Sequence, residues 1–245
     1  MARLTRHELK EHKFQTAFEE YEQFAKSHYR EISLVVGAAL VILTLVLGLR
    51  YLMNQQEATA NAELGAALET FHAYVGTPAP GTLEPDAKTF PTAKEKYAKA
   101  LSQFSAMTNV NGYQKLLPQQ KAVRIARYHV GLCQAELGDE DGAIKTLNQV
   151  VDDRDQDIAS LARFALGEQL AKTGKTADGV KIFQNLVDHP TTAVPKATAQ
   201  LALANALRDT QPAAARHIYE GMESEYAADT VVVESVKQQI ASLPR

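Results

Sequence analysis

Tryptophan is absent from the sequence and cysteine occurs once, at Cys133. A lone thiol forms no intrachain disulfide, so the redox compartment is left open. Cys133 itself reads as a small buried apolar residue rather than a reactive nucleophile. A surplus of positive charge is also missing. The net charge is −3, whereas a nucleic-acid binder usually carries a strong basic patch, and no nucleic-acid partner is expected. The chain has no HExxH, no phosphate loop, no Gly-x-Ser-x-Gly and no CxxC. The expectation is therefore no enzyme, no cofactor and no metal site. The acidic run DDRDQD, Asp152 to Asp157, sets Asp153, Asp155 and Asp157 at alternate positions like a calcium loop. Ile158 stands where such a loop needs glycine and Phe164 where it needs glutamate, so the run reads as a solvated turn. His7 and His12 do not share a helix face and make poor metal ligands.

What the chain does have is length, alanine, leucine and one long apolar run. Its 245 residues exceed one minimal domain and suffice for a sizeable core. From Ile32 to Leu49 there are 18 uncharged residues, 12 of them Ile, Leu or Val. As a helix they span about 27 Å, close to the roughly 30 Å of a hydrocarbon core. At a few tenths of a kcal/mol per apolar residue, insertion is favoured by very roughly 5 kcal/mol. Ala58, Thr59 and Ala60 resemble a signal-cleavage site, but they lie well past the end of a run that is itself too long for a signal peptide. An uncleaved transmembrane anchor over residues 32–53 is predicted. Its small residues Ser33, Gly37, Thr44 and Gly48 share one face and are candidates for helix packing in the bilayer.

Arg3, Arg6, Lys10, Lys13, Lys26 and Arg30 precede the run; after Arg50 no basic residue occurs until Lys88. By the positive-inside rule residues 1–31 stay in the cytoplasm and residues 54–245 are exported. In a bacterium with two membranes this is a single-pass inner-membrane protein with a periplasmic domain. The cytoplasmic tail opens on a capping box, Thr5 to Glu8. Phe14, Ala17, Phe18, Tyr21, Phe24, Ala25 and His28 then follow at helical spacing. They predict an amphipathic helix that docks on a partner or headgroups, or lies against its own anchor.

The exported part repeats. ARYHVGLCQAELGDEDGAIKTLNQVV and ARFALGEQLAKTGKTADGVKIFQNLV align without a gap at a spacing of 36 residues. Such a period is what an antiparallel helix pair gives when stacked on copies of itself. Gly131 and Gly167 allow the two helices to approach, and Gly138 and Gly174 supply the left-handed residue that ends the first helix. Ala143 or Gly179, then Leu147 or Phe183, pack the second helix against the first. These residues resemble the tetratricopeptide repeat. A third unit reads through Leu203, Ala204, Leu207, Ala215, Tyr219 and Met222; an earlier one reads through Leu64, Gly65, Leu68, Ala100, Phe104 and Met107. The earlier unit is split by a Pro/Gly-rich loop, residues 75–91, and Ala228 to Leu243 reads as a capping helix. The predicted fold is all-α: an amphipathic helix, a transmembrane helix, then a tetratricopeptide-like α-solenoid of about four helix pairs with a C-terminal cap.

In stacked pairs the first helices line the concave side. Counting from the Leu-Gly landmark, the groove candidates are Ile125, Tyr128 and Leu132, then Leu161, Phe164 and Glu168, then Thr198, Leu201, Asn205 and Arg208. Tyr128 and Phe164 hold equivalent places and suit apolar side chains of a polypeptide, or else they pack between neighbouring first helices. Repeated Lys and Asn for gripping a chain terminus are lacking.

The whole layout, from the TRHELKEHKF opening through one span and a split first repeat to the later units, resembles the YfgM-type proteins. That resemblance implies an ancillary role at the SecYEG translocon. Its partners would be translocon subunits, a membrane-anchored chaperone or emerging polypeptides. The alternative is a structural scaffold for an envelope machine, such as division or outer-membrane assembly. Homo-oligomerisation is left open.

Overall fold

The structure is a computed structural model that describes residues 28–76, 88–109 and 121–243. The predicted amphipathic tail helix, with its Thr5–Glu8 box and the Phe14–Ala25 face, lies outside the described residues, as do His7 and His12. The chain divides into two compact units, Met1–Gln56 and Glu57–Arg245.

The first unit holds the start of α1 (Tyr29–His72), a helix whose most apolar window has a mean hydropathy of 2.8 and no buried residue. It is long and apolar enough to cross a membrane. Its hydroxyls are satisfied within the helix: Ser33 Oγ donates to the Arg30 carbonyl at 2.9 Å and Thr44 Oγ1 to that of Leu40 at 2.6 Å. Neither residue needs an outside partner in an apolar medium. Gly37 and Gly48 have open space where a Cβ would stand.

The second unit begins with residues 57–72 of α1. It continues with α2 (Ala93–Thr108), α3 (Lys121–Glu136), α4 (Glu140–Asn148), α5 (Gln156–Lys172) and α6 (Thr176–Asp188). It ends with α7 (Lys196–Leu207), α8 (Pro212–Glu225) and α9 (Thr230–Ala241). From α2 onward each helix packs on its successor, and α3 also packs on α5 and α5 on α7. First helices of successive pairs are thus neighbours, as a stacked solenoid requires. The fold is all-α with a tetratricopeptide-like array closed by α9. One small departure is a parallel bridge of two two-residue strands, β1 (Tyr74–Val75) and β2 (Thr89–Phe90), pairing Tyr74 with Thr89. It joins the two ends of the Pro/Gly segment, and Lys88 Nζ beside it donates to the buried Thr70 hydroxyl at 2.9 Å.

Local chemistry fixes the helix ends. Asp139, Asp155 and Asp229 cap α4, α5 and α9, their carboxylates accepting first-turn amide hydrogens. Pro212 opens α8, where a missing N–H costs nothing. Gly138 and Gly174 both sit at φ +82°, and the bonds Asp139 N–H to Gln134 O and Lys175 N–H to Leu170 O close the two turns alike.

The core follows the repeat. Leu147, Phe183 and Tyr219, spaced by 36, are all buried. A Cβ on Gly131 would stand 2.8 Å from Leu147 Cδ2, and one on Gly167 2.8 Å from Phe183 Cε1. In the third pair Ala204 and Ala215 are fully buried and take over the close approach. The earliest pair brings Leu64, Leu68, Ala100, Phe104 and Met107 into one cluster as expected, but without a close approach at its glycine. Gly65 is exposed with open space around it, while Leu64, Ala67 and Thr70 are buried. Fully buried Ala100 and Phe104 cluster with Leu64 and Ala67, and the Phe71 ring centroid lies 6.3 Å from that of Phe104. A large aromatic from each helix fills this interface, so a glycine contact has no part in it. Val236 and Leu243 complete the core against Tyr219 and Met222.

A polar clasp recurs beside this core. Arg124 pairs with Asp153, Ser160 Oγ lies 2.7 Å from Thr191 Oγ1, and Lys196 Nζ lies 2.6 Å from Glu225. Each ties the start of a pair's first helix to the end of its second or the turn beyond. The acidic run is consumed here: Asp155 caps α5 and pairs with Lys121 at 2.9 Å, and Asp157 accepts the Ala193 N–H at 3.2 Å.

Candidate partner groove

Because α5 and α7 are neighbours without interlocking fully, a cavity of about 410 Å³ opens between them. Phe164 and Glu168 of α5 and Thr198, Leu201 and Asn205 of α7 line it, with Phe183 of α6 as part of its wall. Five of the ten predicted groove positions therefore share one cavity. The Phe164 and Phe183 rings meet edge to face, centroids 5.6 Å apart. The Tyr219 hydroxyl donates to Asn205 Oδ1 at 2.6 Å, which fixes the amide.

Glu168 stands among these apolar walls with no hydrogen bond or ion pair among the described residues. Burial pushes its carboxyl above the usual range. No lysine or arginine lines the cavity.

The other predicted positions have different surroundings. Ile125 and Tyr128 are half-buried against Val150, Ile158 and Ala162, and Leu132 packs against Leu147 and Leu166. The Tyr128 phenol is pushed up to about 12, by burial first and then by the charge of Glu168. Leu161 is half-buried against the core around α7 and α8. Arg208 reaches α9, where its guanidinium bonds Gln239 Oε1 and, at 3.1 Å, Ser242 Oγ; it secures the cap and does not line the cavity.

A second hollow of about 220 Å³, not foreseen from sequence, lies between α7 and α9. Ala197, Met222, Val231 and Val232 line it, and it shares Thr198 and Leu201 with the first cavity. Its signal was the run Val231 to Val233 at a helix start, which one buried face cannot absorb; Val231 is 78% exposed.

Also unforeseen is His129, stacked on Phe104 with centroids 4.9 Å apart and met edge-on by Phe71 at 5.2 Å. Its Nδ1–H donates to the Ile125 carbonyl at 2.9 Å. Burial lowers its pKa below 6.5, the backbone bond opposes this in part, and His72 adds to the lowering. A histidine held neutral by the fold contributes stability that is intact above 6.5. That stability is lost as pH falls through 6.5 towards the depressed folded value. Urea midpoints followed by circular dichroism should fall between pH 7.5 and pH 5. In His129→Leu the fall should shrink, and an unchanged fall would mean that other groups cause it. Cys133 is fully buried and its thiol is pushed up to about 12, chiefly by burial, so it is unreactive at neutral pH. Among the described residues no group of three or more His, Cys, Asp or Glu is placed to hold a metal.

Residues 126–156 match the family model of the tetratricopeptide repeat. The match runs from the middle of α3 through α4 to the start of α5. No curated protein and no solved structure matches the chain. The repeat supports a protein-interaction module with protein partners and gives no sign of catalysis.

Proposed function

We propose that the chain is a membrane-tethered polypeptide-binding module that assists protein export, ancillary to the SecYEG translocon and its periplasmic chaperones. The observation that carries this reading is the aromatic-walled cavity between α5 and α7, on the side where first helices meet. It suits side chains of a polypeptide segment. The proposed organisation is a cytoplasmic tail at residues 1–31, an anchor at residues 32–53 and an exported repeat domain at residues 54–245. The excess of Lys and Arg before the span supports that orientation. A tether holds the groove near the membrane surface and raises its effective concentration for chains emerging there. The resemblance to YfgM-type proteins supplies the translocon as the place.

Affinity purification from crosslinked membranes is the test. Translocon subunits or a membrane-anchored chaperone should be enriched over an unrelated single-span control. In the same cells, protease added to intact spheroplasts should digest the repeat domain. Recovery of division or outer-membrane assembly proteins instead would replace the export reading with the scaffold one.

A further inference from the structure

The cavity between α5 and α7 and the hollow between α7 and α9 have Leu201 and Thr198 in common, so together they make one surface along α7. Its two ends differ in chemistry. At one end Glu168 stands between Phe164 and the α7 wall with no cation to answer it among the described residues. At the other end Ala197, Met222, Val231, Val232 and Val236 give a mainly apolar lining, with Ser235 beside them.

Three acidic side chains of the repeat domain are each engaged by a cation. Glu225 is held by Lys196 and Gln200, Asp153 by Arg124, and Asp155 by Lys121. Glu168 lacks such a tie; it is exposed at the mouth but partly desolvated beside Phe164 and Phe183, so a positive partner there would be favoured. Tyr128 lies within reach of the Glu168 charge, and its phenol is kept protonated by burial and by that charge, so it offers no positive charge.

A side chain that satisfies both a carboxylate and an aromatic wall has a cationic tip and an aliphatic stem. Lysine and arginine have that form, and their stems cover apolar surface while the charge reaches outward. Asn205 adds to the match. With its Oδ1 committed to Tyr219, the amide NH₂ has hydrogens to give to a peptide carbonyl.

We propose that this surface binds a polypeptide segment through one lysine or arginine, whose stem lies on Phe164 and Phe183 and whose charge meets Glu168, with an aliphatic neighbour in the hollow beside Leu201. This rests on the reading of the groove as a polypeptide site and specifies its partner: basic-aliphatic segments are taken and acidic ones refused. The preference is opposite to that of a groove built to grip carboxylates. An adjacent basic and apolar pair is a common local pattern, so one such contact gives a broad clientele and modest affinity.

The full chain in phosphatidylcholine nanodiscs can be titrated against a fluorescein-labelled peptide with a Leu-Lys-Leu core in a Gly-Ser frame. Twin peptides carry norleucine or glutamate in place of the lysine. Wild type should prefer the lysine peptide over the norleucine one by about threefold, in line with a charge pair at a solvent-accessible mouth, and over the glutamate one by more. Glu168→Gln should remove the lysine preference while leaving norleucine binding in place, and Glu168→Lys should turn the preference towards glutamate. Glu168 is exposed at the mouth, so neither change disturbs the core, and circular dichroism checks this.

Equal binding of all three peptides, or a lysine preference that survives Glu168→Gln, overturns the inference and leaves the polypeptide-binding module standing. Failure of every peptide to bind overturns both. Self-association of the chain that Glu168→Lys abolishes would make the occupant a second copy and likewise end the proposal.

Discussion

Truncation of Phe183 to alanine is expected to cost the repeat unit roughly 3–5 kcal/mol, the usual toll of removing a buried aromatic side chain. The ring is 2% exposed, closes the α5–α6 interface and walls the cavity, so nothing nearby is placed to refill its volume. The interest lies in what this does to two glycines. A Cβ on Gly167 would stand 2.8 Å from both Cε1 and Cζ of that ring, so Gly167→Ala alone should cost about 1–3 kcal/mol by overpacking. In the Phe183→Ala background the same methyl falls into vacated space. The clash is gone, and the intrinsic helix preference for alanine over glycine, up to about 1 kcal/mol, becomes visible as a gain. A Cβ on Gly179 meets a different obstacle, the carbonyl oxygen of Gly167 at 2.7 Å. Backbone cannot swing aside as a ring can, so Gly179→Ala should cost the same in both backgrounds. Urea denaturation of the three single and two double variants reads this directly as coupling energies. Additive costs for Gly167 and Phe183 would show that the observed helix spacing is not set by that contact. Each pair touches only its neighbours, so a weakened central pair should also separate the unfolding of the two flanks.

The same contact explains why so much of the array was legible from residues alone. A glycine at φ +82° and a glycine under a buried ring answer local demands, and local demands repeat with the unit: Gly138 with Gly174, Gly131 with Gly167. Phe164, Glu168, Thr198, Leu201 and Asn205, counted from the helical landmark, come together around one cavity because the Cβ directions of neighbouring first helices converge there. Arg208 departs from them: a long stem let its guanidinium cross to Gln239 and Ser242 on the cap. Gly65 follows the Leu-Gly pattern without its consequence, because the first pair is spaced by rings and needs no close approach. Stacking in this first pair is aromatic and brings in His129 from the next one. The bridge at Tyr74 and Val75 left no trace in the pattern, since two residues are too few to alternate. A hollow such as that beside Val231 arises from the fit between helices, which no single helix encodes.

Arg124 and Asp153 carry the other large expected effect. Their side chains are only 11% and 10% exposed, and the ion pair joins the start of α3 to the turn that precedes α5. Asp153 Oδ1 also accepts the Asp155 N–H at 2.8 Å, and Asp155 caps α5, so the pair fixes the turn from which the cavity's first wall rises. Arg124→Ala would leave a sheltered carboxylate with one amide hydrogen, and a loss of about 3–5 kcal/mol is expected; Asp153→Ala should be comparable. The pair itself is worth far less than its halves suggest, since two charges were taken from water to form it, and Arg124 Nε has no hydrogen-bond partner among the described residues. Replacing both together, Arg124→Met with Asp153→Leu, should therefore recover most of the loss. The corresponding clasp one repeat on from Ser160, Lys196 with Glu225, is weaker despite its 2.6 Å separation, because its side chains are 44% and 40% exposed and water screens them. Lys196→Ala should leave the urea midpoint unmoved. An Arg124→Ala midpoint no lower than that of Lys196→Ala would mean that the turn is held by its backbone and its caps, and that the repeated clasp follows the fold without supporting it.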